Sequence, residues 1–144
     1  MTAELHDTIA DRLREVGQRY TDGRRVLVER LAEAAQPITI PELLDAPPRL
    51  PQSSAYRNLD VLEQAGVVHR ITGSGDFARF ELAEDLTEHH HHLICSRCGA
   101  VEDFTAPPGL ERTLGRAVAD IEASHGFTAA QHRLDLIGLC ADCA

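Results

Sequence analysis

His89-His90-His91-His92-Leu93-Ile94-Cys95-Ser96-Arg97-Cys98-Gly99 sets four imidazoles directly before a Cys-x-x-Cys knuckle. A second knuckle, Cys140-Ala141-Asp142-Cys143, lies at the other end of the same half, and these two pairs hold all four cysteines. Soft thiolates and borderline imidazoles at this spacing point to transition metal, and to more than one ion. Cys95, Cys98, Cys140 and Cys143 read as one tetrahedral zinc site. To close it, the chain between the knuckles must fold back on itself. A redox dithiol or a pair of disulfides is the competing reading. Nothing resembling a secretory signal opens the chain and no apolar run approaches membrane length, so the expected setting is cytoplasmic, where thiols stay reduced.

Alternation gives the histidine run its geometry. If residues 89–95 form a strand, His89 and His91 face one way and His90 and His92 the other. Four neighbouring histidines on a strand thus make two half-sites, each in need of further ligands. Glu81, Asp103, Glu111 and His132 are the candidates. A site completed by Glu81 would join the two halves of the chain. One completed by Glu111 and His132 would stay inside the second half. The lone histidines His6 and His125 read as a surface residue and a helix end.

Upstream, the period is helical. Leu5, Ile9, Leu13 and Val16 make one stripe of a helix over 4–17, closed by Gly17. A second helix runs from a cap at Thr21 or Asp22 to about Ala35, and Thr39 can cap a short one near Pro41–Asp45. Ser53 and Ser54 are cap candidates for a helix to about Ala65, with Ala55, Leu59 and Leu62 inward and Gly66 as its stop. Strands over 67–71 and 77–82 flank Gly73-Ser74-Gly75-Asp76, a hairpin turn. Helices followed by a hairpin predict a winged helix-turn-helix. Beyond it, strands are expected at 89–95 and 99–104, a helix from Pro107-Pro108 to about Ser124, and a long strand over 127–139. The fold class is therefore α+β: a winged helix-turn-helix over 1–84, a hinge at 85–88, and a small α/β dimerisation and metal-binding domain over 89–144. The second unit is too small to bury much core alone, so zinc and a second copy would both help it.

The net charge of −9 is ill suited to nucleic acid, but it is unevenly spread. Residues 1–82 hold ten arginines against thirteen acids, and residues 83–144 four against ten. There is no lysine, so every permanent cation is a guanidinium, suited to bidentate contact with phosphate and guanine. An enzyme reading finds no His-Glu-x-x-His, no phosphate-binding glycine loop and no nucleophile elbow, and so no small-molecule substrate is expected. A zinc-ribbon interaction module or metal store without DNA binding would explain the ligands but leaves Ser53–Gly66 and its hairpin without a role.

The sequence from Ser53-Ser54-Ala55-Tyr56-Arg57-Asn58-Leu59 through Gly66-Val67-Val68 and Phe80-Glu81-Leu82 to the histidine run with its knuckle, His89 to Gly99, and the last knuckle resembles the ferric uptake regulator family. The resemblance covers nearly the whole chain. It implies a dimeric, metal-dependent repressor that binds a palindromic operator in double-stranded DNA and controls metal-uptake or oxidative-stress genes. It implies structural zinc on Cys95, Cys98, Cys140 and Cys143. It implies a regulatory site of Glu81, His90, His92 and Asp103, and an additional site of His89, His91, Glu111 and His132. Ser54, Tyr56 and Arg57 match the recognition helix, and Arg19 a basic residue that approaches DNA. Two departures stand out. Gln36-Pro37-Ile38 has no histidine where many members place a regulatory ligand, so His69 on the first wing strand is the expected replacement. No cysteine is left for the regulatory site. Its nitrogen and oxygen donors suit Zn(II), Fe(II), Mn(II) or Ni(II).

Overall fold

A computed structural model describes residues 2–34, 36–72 and 78–144. The expected turn Gly73-Ser74-Gly75-Asp76, with Phe77, lies outside the described residues, as does Ala35. The first half opens with α1 (Ala3–Glu15), α2 (Asp22–Glu33), β1 (Ile38–Thr39), α3 (Ile40–Leu44) and α4 (Gln52–Gln64). Hydroxyls start the first three helices: Thr2 accepts from the Leu5 amide, Thr21 from Arg24 and Thr39 from Glu42. The start of α4 differs from expectation. Its N-cap is Pro51, with no side-chain cap, and Ser53 and Ser54 sit inside the first turn. Proline holds the extended φ of an N-cap and shifts the start two residues upstream. The first-turn amides of α4 therefore stay free of any side-chain cap.

The wing follows as β2 (Val68–Ile71) and β3 (Arg79–Leu82), in a three-stranded sheet of order β1-β3-β2. His69 pairs with Glu81 in the antiparallel register. One cluster unites these elements. Ile9, Leu13, Leu27, Val28, Leu43, Leu59, Leu62, Val67 and Phe80 are buried together, and each large aliphatic chain contributes roughly 1.5–3 kcal/mol by leaving water. His6 joins this interior, contrary to its surface reading: it is 7% exposed, and its Nδ1 is 2.7 Å from Tyr20 Oη. His6, Ile9 and Leu13 form the buried face of α1, and Val16, which periodicity placed inward, is its exposed C-cap. Burial pushes the Tyr20 hydroxyl up to about 12.

A single 3₁₀ turn, Glu84–Leu86, links this half to the next. There β4 (His91–Cys95) lies between antiparallel β5 (Val101–Phe104) and parallel β6 (Asp135–Gly138). Between β5 and β6 runs α5 (Pro108–His125), closed by Gly126 at φ 59°, a left-handed cap that favours glycine. Two expectations are corrected. The histidine run enters its strand only at His91, and the long strand over 127–139 shrinks to Asp135–Gly138. Residues 127–134 have no ladder partner to hold them extended apart from the Leu134 carbonyl, which accepts from the His92 amide. Among the described residues the apolar cluster here comprises Ile71, Ile94 and Val101, and no residue of α5 is buried. Among the described residues no helix is long and apolar enough to cross a membrane.

Candidate functional site

Three groups of metal-ligating side chains form among the described residues, and in each the ligand atoms lie within 4.8 Å of one another. The first is Cys95, Cys98, Cys140 and Cys143. Parallel pairing of β4 and β6 carries both knuckles to the same end of the sheet. The Ser96 amide donates to Gly138 O at 2.7 Å and Arg97 to Cys143 O at 2.8 Å, which fixes one knuckle against the other. The thiols are unequal. Amide hydrogen bonds from Cys98 and Cys140 lower Cys95 to about 6. The Cys140 side chain, burial and the neighbouring sulfurs raise Cys143 to about 12. Four sulfurs so crowded cannot all ionise without a cation among them, and that donor set fits zinc.

The second group is Glu81, His90, His92 and Asp103, drawn from β3, the residue before β4, β4 itself and β5. His90 Nε2 is 2.8 Å from Glu81 Oε2, and His92 Nε2 is 3.0 Å from Glu81 Oε1. Asp103 stands farther off, 3.8 Å from His90 Nε2 and 3.6 Å from His92 Nε2. Burial would raise Glu81, but hydrogen bonds and charge from His92 and His90 hold it below its ordinary value. Burial, with the Glu81 charge added, pushes Asp103 up despite the same histidines. Burial would lower His90, but the Glu88 carbonyl, Glu81 and Asp103 together raise it. A small cavity of about 10 Å³ adjoins the group, bordered by His69, Glu81, His90 and His92.

The third group is His89, His91, Glu111 and His132. Glu111 gathers it from α5: Oε2 is 3.2 Å from His89 Nε2 and 3.4 Å from His132 Nε2, while Oε1 meets His91 Nε2. Burial would raise Glu111, yet the imidazoles around it hold it low. His89 Nδ1 also touches Glu84 of the connecting turn. Odd and even histidines thus part to opposite faces, as strand alternation requires.

Both histidine groups fit a divalent ion. Asp103 Oδ1 and His132 Nε2 are buried without a hydrogen-bond partner. Orphaned polar atoms are rare in protein interiors, and here they are ligand atoms aimed into a cluster. His69 is the exception among the sequence candidates. It faces Glu81 across the β2–β3 ladder and borders the same small cavity, but the structure does not bring it into the four-residue group.

The residues matched to DNA contact lie on another surface. Tyr56 and Arg57 are exposed on α4, Ser54 is half-buried there, and Arg19 is exposed in the α1–α2 loop. Their opposite face, Ala55, Leu59 and Leu62, is buried. Arg24 is a residue that sequence reasoning missed. Its Nη1 donates to the Arg19 carbonyl at 2.6 Å and its Nε to Asn58 Oδ1 at 3.1 Å, so one guanidinium ties the loop to α4. Its place at the start of α2, opposite a polar residue of α4, was the available signal.

The chain matches the model of the ferric uptake regulator family over residues 15–137. It is 32% identical over 145 residues to the peroxide-responsive repressor PerR of Staphylococcus epidermidis, spanning 97% of this chain and 90% of that protein. The Helicobacter pylori ferric uptake regulator, whose structure was described as revealing three functional metal binding sites, superposes with a TM-score of 0.71 at 25% identity, covering 95% of this chain and 92% of that one. The Vibrio cholerae regulator superposes at 0.67 with 28% identity, covering 89% and 96%.

Proposed function

We propose, because this chain belongs to the ferric uptake regulator family, that it is a metal-responsive transcriptional repressor of metal-uptake or peroxide-stress genes. It binds DNA as a homodimer and works in the cytoplasm, as a regulator and not an enzyme. The observation that carries this reading is the reach of the Glu81 group across the chain: Glu81 belongs to the wing, whereas His90, His92 and Asp103 belong to the second half. We assign residues 1–84 to DNA binding, 85–88 to a hinge and 89–144 to dimerisation and metal binding.

Each group of residues then has a task. Cys95, Cys98, Cys140 and Cys143 would hold zinc and close the second half. A divalent ion held by Glu81, His90, His92 and Asp103 would supply positive charge between two carboxylates that otherwise repel. Those carboxylates stand on β3 and β5, so their repulsion bears on the angle between the halves. His89, His91, Glu111 and His132 would hold a further ion within the second half. On the reading head, Arg57 presents donors suited to a guanine edge and Tyr56 a ring suited to a thymine methyl or a sugar. Arg19 reaches the backbone. The uncapped first-turn amides of α4 suit a phosphate. Two-fold pairing would set two copies of α4 against half-sites of a palindrome one or two turns apart.

The test is duplex binding by the zinc-loaded dimer with and without Zn(II), Fe(II) or Mn(II). The wild type gains at least tenfold in affinity, about 1.4 kcal/mol of coupling. His90→Ala with His92→Ala loses that gain and stays dimeric, while Arg57→Ala keeps its metal and loses specific binding. Metal uptake with no change in duplex affinity would overturn the repressor reading and leave a metal store.

A further inference from the structure

Asp135 belongs to none of the three groups, yet its Oδ1 is buried without a hydrogen-bond partner. It lies 3.5 Å from His92 Nδ1. Topology accounts for the approach: β6 runs parallel to β4 with Asp135 in register with His92, so both side chains leave the same face of the sheet. The other nitrogen of that ring, Nε2, points to Glu81 at 3.0 Å and to Asp103 at 3.6 Å. The His92 imidazole is therefore flanked by carboxylates on both sides, and it is 6% exposed.

A histidine that ligates through Nε2 carries its proton on Nδ1. An acceptor at Nδ1 fixes that tautomer, orients the ring and makes the ligating nitrogen more basic. His90 has such an acceptor in the Glu88 carbonyl, 2.8 Å from its Nδ1. Beside the corresponding atom of His92 stands Asp135 Oδ1, which has no other donor to serve. The second oxygen, Oδ2, is 3.5 Å from Arg133 Nη2, so the carboxylate is steered from its far side as well. The two histidines of the Glu81 group thus meet one requirement by different means, a main-chain carbonyl for His90 and a strand-borne carboxylate for His92.

We propose that Asp135 is a positioning residue for His92: it accepts from Nδ1–H and so presents Nε2 to a divalent ion shared with Glu81, His90 and Asp103. This rests on the reading of those four residues as an ion site. Asp135 touches no ion itself, and its effect reaches the ion only through the ring.

The experiment uses the full-length dimer with its cysteine-bound zinc retained, in a His89→Ala, His132→Ala background so that added metal reports on the Glu81 group. Zn(II) affinity is read by competition with a fluorescent chelator, and the His92 Nδ1–H by its ¹H–¹⁵N correlation in the Zn(II)-loaded protein, where the ion occupies Nε2. Asp135→Ala is expected to weaken Zn(II) binding about 10- to 100-fold and to move the Nδ1–H proton upfield as its acceptor is lost. Asp135→Asn keeps an acceptor oxygen and recovers part of both losses. Unchanged affinity in Asp135→Ala, an unmoved Nδ1–H proton, or loss of the cysteine-bound zinc along with affinity would each overturn the proposal, the last by showing a role in folding alone. A separate control isolates the underlying reading: if His92→Ala also leaves Zn(II) affinity at the parental value, the ion site itself is misassigned.

Discussion

The two halves of this chain are held together by different physics. In the first, α1, α2, α3, α4 and the wing share a continuous apolar cluster in which Ile9, Leu13, Leu27, Val28 and Leu62 have no measurable exposure. In the second, Ile94 and Val101, joined by Ile71 of the wing, make up the cluster. Around them stand three groups of ligands. Apolar side chains of the second half point outward instead: Phe127 is 63% exposed, Ile121 53%, Leu136 52% and Ile137 70%. The first half is a self-sufficient core. The second reads as a sheet that needs metal within and a second copy against its outer face. A continuous apolar core gives the first half a fixed shape, whereas a ligand-held sheet depends on what fills its ligand groups.

The sharpest break in this comparison is expected from Cys98→Ser. Structural zinc contributes on the order of 10–16 kcal/mol of apparent binding energy that is also folding energy. Hydrogen exchange should rise throughout β4, β5 and β6 in the variant while α2 and α4 stay protected. Uniform loss of protection would mean that the halves fold as one unit. The reciprocal change, Leu62→Ala, opens a hole in a fully buried site and should cost about 2–5 kcal/mol of stability. Urea unfolding followed by zinc release should show the first half melting earlier with the cysteine site intact.

Ile137→Asp addresses the outer face. A charge on this exposed strand residue should weaken self-association by about 2 kcal/mol or more, with sedimentation velocity showing monomer at micromolar concentrations and the zinc content unchanged. A dimer as tight as the parent would move the pairing surface elsewhere.

The smallest expected effect lies at the joint. Arg12 of α1 pairs with Asp85 of the connecting turn and also donates to the Gly66 carbonyl at 2.8 Å. The guanidinium holds the Asp85 carboxyl below its ordinary value. A lowered folded value means stability present above the unfolded carboxylate range and lost as pH falls through the folded one. Asp85 is exposed and Arg12 half-buried, so Asp85→Asn should cost under about 1 kcal/mol at neutral pH. The urea midpoints of variant and parent should converge only below about pH 4. A gap that persisted there would assign the effect to packing.

Periodicity read most of the helices correctly because their apolar stripes face one core. It failed where polar side chains were needed inside. His6 is buried because Tyr20 offers its ring a partner, and no stripe-counting assigns an imidazole inward. The cap of α4 was misplaced because Pro51 sets the same backbone geometry without an oxygen. The long last strand shortened because β4 offers it only four register partners. His69, expected to replace the ligand missing at Gln36-Pro37-Ile38, stands opposite Glu81 in the ladder and borders the same small cavity, outside the four-residue group.

The sequence by itself determined the donor types, the two cysteine knuckles and the parity of the histidine run, because alternation along a strand is a property of the backbone alone. The family resemblance paired Glu81 and Asp103 with the even imidazoles and Glu111 with the odd ones, and only the tertiary structure brought Asp135 to His92. Glu81, Asp103, Glu111 and Asp135 lie far apart in the chain, and it is sheet register that brings Asp103 and Asp135 beside His92 from opposite neighbours of β4. Register is set by the pairing of whole strands, and no local spacing encodes it.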